Sequence, residues 1–175
     1  MKSNFNLQPE ILENDIVKLI PLQENHFEEL FNIASDPLLW KLHPIKERYK
    51  KENFTPFFDQ ALQFKSSFLI IDKSENEVIG TTRFYDYNAE KLSIAIGYTF
   101  IARKFWGGKH NAAIKNLMID YAFIHVDSIL FHVGSENIRS QKAVLKLGAL
   151  KINELMFPHN EIDIPHFEYQ LNKIK

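Results

Sequence analysis

The chain has no cysteine among its 175 residues, which removes disulfide frameworks, thiolate metal sites and cysteine nucleophiles together. It has no excess of charge of either sign. The 21 basic and 22 acidic side chains leave a formal charge of −1, so no net positive field gathers nucleic acid or an anionic membrane surface. No apolar run approaches the length of a membrane span, and the first ten residues carry no apolar signal core, so the expected compartment is the cytoplasm. Repeats, low-complexity tracts and linker-like stretches are missing too, so residues 1–175 read as one domain, as a monomer or a homodimer. With 45% hydrophobic residues, that domain is large enough to bury a core and fold alone.

What is present is a change of period partway along the chain. Residues 15–22 read as a first strand and residues 23–36 as a helix with Phe27, Leu30, Phe31 and Ala34 inward. Residues 37–48, with two prolines, read as a loop with short helical turns, and residues 54–64 as a second helix. Residues 67–72, 77–87 and 91–101 then form an antiparallel meander. From about Asn111 the apolar period becomes 3.6, with Ile114, Leu117, Met118, Tyr121, Ala122 and His125 on one face of a helix. Residues 128–134 are a short buried strand. Residues 137–147 are a helix that Asn137 caps and Gly148 stops. Two strands, residues 150–156 and 167–174, finish the chain around a loop at residues 158–165.

The most informative segment joins the meander to the long helix and reads Arg103-Lys104-Phe105-Trp106-Gly107-Gly108-Lys109-His110-Asn111. A helix start exposes N–H groups without internal partners and carries about half a positive charge, so it can cradle phosphate. Gly107 and Gly108 let the backbone come close. The plainer reading is a glycine-containing turn that binds nothing. The strand before it has large residues on one face, Leu92, Ile94, Ile96, Tyr98 and Phe100, and small ones on the other, Ser93, Ala95, Gly97 and Thr99. That small face admits close approach, either by a helix or by a ligand at the end of the strand.

The succession of two helices, a meander, Ile96-Gly97-Tyr98, Phe105-Trp106-Gly107-Gly108, an amphipathic helix, an apolar strand, Glu136-Asn137-Ile138-Arg139-Ser140 and Lys146-Leu147-Gly148-Ala149 resembles the GNAT superfamily of N-acetyltransferases. The branch it looks most like is the ribosomal-protein alanine/serine N-acetyltransferases. The resemblance runs from about Asp15 onward. It implies an α/β fold with a mixed, mostly antiparallel sheet of six to seven strands, splayed between its fourth and fifth, and helices on both faces. It also implies acetyl-coenzyme A in the resulting V. Backbone at Tyr98, Thr99, Phe100 and Ile101 would pair with the pantetheine amides. The turn from Arg103 through Lys104, Trp106, Gly107, Gly108, Lys109 and His110 to Asn111 would wrap the pyrophosphate. Asn137 would face the pantetheine arm and Ser140 the thioester sulfur, and these two are the catalytic candidates, although helix capping alone also explains Asn137.

The chain departs from the family pattern in three places. Lys109 stands where a small residue is expected. Val144 stands where many members carry a tyrosine that protonates the departing thiolate, which leaves Ser140 or a water it holds. Ala95 stands where the branch commonly has a glutamate as general base, in Ala95-Ile96-Gly97-Tyr98. Asp86, Glu136 and His132 are substitutes by residue type.

Other patterns exclude more than they offer. A Walker A motif fails, because Arg103 stands at its first glycine and His110 at its hydroxyl position. The seven histidines form no ligand motif, so no metal is expected. Arg83, Tyr85 and Tyr87 share one face of an alternating strand and either border the acceptor or pack across strands. Phe54, Phe57, Phe58 and Phe64 either line an acceptor mouth or fill the core. The expected activity is acetyl transfer from acetyl-coenzyme A to a primary amine, a protein N-terminus or a small molecule, by direct attack. The rivals are a coenzyme A-binding sensor or interaction module without transfer, suggested by Ala95 and Val144, and a scaffold that binds nothing.

Overall fold

The structure is a computed structural model that describes residues 5–159 and 162–174. Its centre is one sheet in the order β1-β2-β3-β4-β5-β6-β8-β7. The strands are β1 (Leu12–Glu13), β2 (Val17–Pro21), β3 (Ser67–Asp72), β4 (Glu77–Asn88), β5 (Ser93–Ile101), β6 (Ser128–Gly134), β7 (Leu150–His159) and β8 (Ile162–Asn172). Every neighbouring pair is antiparallel except β5 and β6. The four helices are α1 (Phe27–Ala34), α2 (Lys51–Gln63), α3 (His110–Ala122) and α4 (Ile138–Lys146).

Both faces of the sheet are covered, and the alternation of strand side chains shows how. Phe68 and Ile70 of β3 join a core built on Ile114, Met118 and Ala122 of α3, whereas Leu69 between them joins a second core with Leu30 of α1 and Phe54, Phe57 and Phe58 of α2. The second core is dense in aromatic contacts. Phe54 lies 5.5–6.3 Å, centroid to centroid, from Phe27, Phe31, Phe57, Phe58 and Phe100. Phe54, Phe57 and Phe58 are therefore core residues, while Phe64 is left exposed. Trp40 is tied in by donating from Nε1 to the Ala34 carbonyl at 2.7 Å.

Three expectations need correction. The sheet has eight strands rather than six or seven, because residues 12–13 pair with β2 in a segment too short to show a period. Residues 158–165 are mostly strand: Pro158 pairs with Asp163 and Pro165 with Met156, so the β7–β8 hairpin is longer than the prolines suggest. A strand beside a single partner tolerates proline wherever its missing N–H would point to solvent. The tip, residues 160 and 161, lies outside the described residues. Last, the large-and-small alternation of β5 does not run through the strand. Tyr98 has φ +51°, and the pairing with β4 shifts between Thr81↔Phe100 and Arg83↔Gly97. The extra residue reverses the faces beyond it: Ile94 and Ile96 point into the α3 core, Phe100 into the α1–α2 core.

Candidate active site

Parallel β5 and β6 pair only from Ser93↔Ser128 to Ala95↔Leu130. Past that point β6 stays with β8 as far as Gly134↔His166, and β5 stays with β4. The two strands therefore part, and the bulge at Tyr98 bends β5 where they separate. The sheet opens into a V, with the start of α3 beyond one arm and α4 beyond the other.

The deeper part of the V is a cleft of about 690 Å³ bordered by Ile101, Trp106, Gly107, Gly108, Asn111 and the α4 side chains Arg139, Lys142 and Lys146. Among the described residues, the N–H groups of residues 107–112 find no acceptor in the protein. Gly107 makes the turn with φ +72°, a conformation that L side chains resist. Lys109, the unexpected residue of the motif, is the helix N-cap residue, with no side-chain cap. The loop is braced from behind. Trp106 Nε1 donates to the Ile101 carbonyl at 3.0 Å, and the Arg139 guanidinium sits 3.6 Å from the Trp106 ring centroid, bridging loop and α4. His110 Nε2 meets Asp72 Oδ1 at 2.9 Å while its ring packs on Phe105. The Asp72 carboxyl is held down at about 2 by hydrogen bonds from Ser74, the Glu75 N–H and His110.

The expected cofactor residues thus divide. Thr99, Phe100, Ile101, Trp106, Gly107, Gly108, Asn111, Asn137 and Ser140 border the cleft. Arg103 pairs with Asp36, Lys104 with Glu77 at 2.6 Å, and the His110 side chain with Asp72, so these side chains are engaged elsewhere. Tyr98 borders the adjoining chamber instead. Among the described residues no carboxylate borders the cleft, and its unpaired N–H groups and three cations suit a polyanion. Those donors fit the pyrophosphate of acetyl-coenzyme A.

The cleft continues past Asn137, Ser140 and Thr99 into a chamber of about 160 Å³. Asn137 is buried, and its Oδ1 accepts from the Ser140 N–H at 3.2 Å, a true N-cap for α4. Gly97, Tyr98, His132, His43 and Arg48 are among its walls. Of the three substitutes for a base at position 95, only His132 is here; Asp86 and Glu136 are exposed on the surface. His132 Nε2 lies 2.9 Å from Glu168 Oε2, and Nδ1 lies 2.8 Å from Tyr85 Oη. A carboxylate only accepts, so Nε2 carries the proton and Nδ1 accepts from the tyrosine. Burial pushes the Tyr85 phenol well above its ordinary range. His43 is a poor base: burial and the Arg48 charge depress it to about 3.

At Ala95 and Gly97 the small face of β5 is covered by a side chain of the neighbouring strand, whereas Thr99 opens on the cleft and accepts from Lys115 of α3. Tyr85 pairs with Ala95 and leans over Gly97, where an added Cβ would lie 2.9 Å from its ring. Arg83 shares the Tyr85 face, but Tyr87 does not. Asp86, at φ +51°, turns the strand so that Tyr87 packs on Phe5 in the α3 core. Sequence reasoning missed Arg48 and Lys115. Lys115 could have been found: it follows Asn111 by one helical turn and interrupts a buried stripe. Its Nζ donates to Thr99 Oγ1 at 2.6 Å, and burial lowers it to about 7. Arg48 sits in a turn without periodicity and carried no signal.

An open, mostly antiparallel sheet splayed beside a glycine-rich helix start defines an acyl-coenzyme A-dependent transferase. Residues 17–150 match the family described as the acetyltransferase (GNAT) domain, and the chain belongs to that family. It is an N-acetyltransferase by family, with acetyl-coenzyme A as co-substrate. No curated protein matches it by sequence. Among solved structures it is similar to a GCN5-related N-acetyltransferase from Brucella melitensis (TM-score 0.80, 19% identity, covering 97% of this chain and 83% of that one). It is similar also to a candidate ribosomal-protein-serine acetyltransferase from Vibrio cholerae (TM-score 0.77, 14% identity, 99% and 100%). A third is the spermidine N-acetyltransferase of Vibrio cholerae, solved with coenzyme A and spermine (TM-score 0.69, 17% identity, 91% and 96%). Among the described residues no cluster of metal-ligating side chains occurs, and no helix is long and apolar enough to cross a membrane.

Proposed function

We propose that the chain acetylates a primary amine by direct attack within a ternary complex, using His132 and Tyr85 where the branch uses a glutamate at position 95. The observation that carries this reading is the continuity of the V. It runs from unpaired N–H groups at one end, past Asn137 and Ser140, to a chamber with a hydrogen-bonded Tyr85–His132–Glu168 chain beside it.

Acetyl-coenzyme A supplies the activated acetyl thioester. The N–H groups of residues 107–112 would hold its pyrophosphate, and β5 and α4, with Asn137, would hold its pantetheine arm. The arm of β5 that has lost its β6 partner would offer N–H groups to the carbonyl oxygen, aligned before reaction begins. The acceptor amine loses a proton to His132 Nδ1, the member of the chain that borders the chamber, as the Tyr85 hydroxyl turns its own proton off that nitrogen. Glu168 holds Nε2–H and stabilises the imidazolium, and the tyrosine is never required to ionise. Ser140, or a water it holds, protonates the thiolate.

The test is thermal unfolding with acetyl-coenzyme A. At about 100 times its dissociation constant, the ligand should stabilise the fold by roughly 2.7 kcal/mol. Gly107→Val, which forces a β-branched side chain to φ +72°, should weaken that response. An unmoved melting curve at millimolar ligand would remove the reading. Binding without thiol release from a broad amine panel would leave the sensor.

A further inference from the structure

Two arginines on the acceptor side of the chamber have no acid. Arg48 is 9% exposed and borders the chamber, yet its Nε has no partner. Its guanidinium carbon lies 4.5 Å from the Phe57 ring centroid and 5.5 Å from that of Trp40. Arg83, 2% exposed, lies behind it. Its Nε and Nη2 are unpaired, and its guanidinium stacks 4.0 Å from the Tyr98 ring and 5.7 Å from the Phe57 ring. No carboxylate among the described residues forms an ion pair with either.

Aromatic faces compensate a buried guanidinium only in part, and an uncompensated one is among the costliest groups a fold can hold. Burial accordingly lowers Arg48 to about 10, and the nearby Arg83 adds repulsion. Among the described residues, no Asp or Glu borders the chamber. In the cleft, absent acids are explained by the phosphates of the co-substrate. In the chamber they are not, because Arg48 and Phe57 border the chamber and not the cleft. A cationic polyamine would meet a second cation and no counter-ion. A guanidinium fork matches a carboxylate in geometry and charge. Asn137 and Ser140 border the chamber as well as the cleft, so its roughly 160 Å³ must also admit the thioester end, and the bound end of the acceptor is small.

Resting on the acetyltransferase reading, we infer that the acceptor is a small primary amine carrying a carboxylate, which pairs with Arg48 inside the chamber. Arg83 does not border the chamber and acts as a positioning residue. It holds Tyr98 and Phe57 and adds to the local positive potential. The carboxylate belongs either to a free amino acid or to an acidic first residue of a peptide.

The experiment measures thiol release with free amino acids, their carboxamides, a peptide starting with aspartate, and spermidine, each at a pH where its amine is neutral to the same extent. Carboxylate-bearing amines should have kcat/KM about 10- to 100-fold above their amides. Preference for the free acids identifies amino acids, and preference for the peptide identifies N-termini. Arg48→Met should raise KM for the carboxylate substrate about 10- to 100-fold and change KM for its amide far less. The melting temperature should hold or rise, because the apolar replacement relieves a buried charge. A purely structural arginine would instead lower the melting temperature and affect both substrates alike. Equal use of amides, or preference for spermidine, would overturn the carboxylate inference while leaving acetyl transfer intact. If acetyl-coenzyme A binds and no amine reacts, acetyl transfer is what fails. The anion site is then read by thermal shift with N-acetylalanine plus coenzyme A, where a shift lost in Arg48→Met supports it and no shift in the parent protein overturns it.

Discussion

Ala95 is completely buried, and the reason is its cross-strand neighbour Tyr85. The residue that looks like a missing base in sequence is, in the fold, the small platform that lets a tyrosine reach His132. Restoring the family glutamate should therefore fail. Ala95→Glu would bury a carboxylate against the Tyr85 ring, and should lower stability rather than raise activity. Ala95 supplies no ionisable group, and the Tyr85–His132–Glu168 chain does. His132→Gln should reduce kcat about 10²- to 10⁴-fold. An undiminished kcat would show that His132 is not the base.

At the scale of the element, α4 is a nine-residue helix whose start serves two purposes. The Asn137 side chain spends its Oδ1 on the Ser140 N–H, which leaves its amide nitrogen to face the V. Asn137→Ala should cost about 0.5 to 2 kcal/mol of stability through the lost cap, and should also weaken acetyl-coenzyme A binding. Denaturant unfolding with and without the ligand separates the two effects. Ser140→Ala should leave binding nearly unchanged and lower turnover; an unchanged kcat would assign thiolate departure to water alone. In β5 the bulge at Tyr98 does comparable work. It puts Phe100 into the α1–α2 core, and Thr99 toward Lys115, in a strand whose sequence alternates without interruption.

For the whole molecule, the notable quantity is the pH dependence of stability. The buried Lys115 ammonium is held at about 7, against about 10.5 in an unfolded chain. Between those values the unfolded chain keeps a proton that the folded chain has released. Lys115 therefore makes stability rise with pH through that window, at up to about 1.4 kcal/mol per pH unit for this group. Its cost is greatest below pH 7. Urea unfolding at pH 7, 8 and 9 should show a slope that Lys115→Met flattens, and an unchanged slope would mean that the group is not buried as a cation. Asp72 acts at the other extreme. Its carboxyl sits at about 2, below its ordinary 3.8, so the stability it lends is present above pH 4 and is lost as pH falls toward 2.

Apart from β1 and the strand ends around Pro158 and Pro165, the sequence by itself determined the order and type of the elements, the glycine-rich helix start and the Asn137 cap. Each is a local matter: apolar period, capping chemistry and the need for a left-handed residue at Gly107 all act within a few residues along the chain. It also carried enough of two motifs, at the right separation, to point to the family. Only the tertiary structure decided how the chamber is built. Tyr85, His132 and Glu168 are 36 or more positions apart in each bonded pair and meet through strand register. The Tyr98 bulge arises from pairing between strands. Arg48, in an unpatterned turn, becomes an unpaired buried cation only because α2 and Trp40 enclose it. Burial and counter-ion balance are sums over neighbours distant in sequence, so the chemistry that depends on them appears only once the chain has folded.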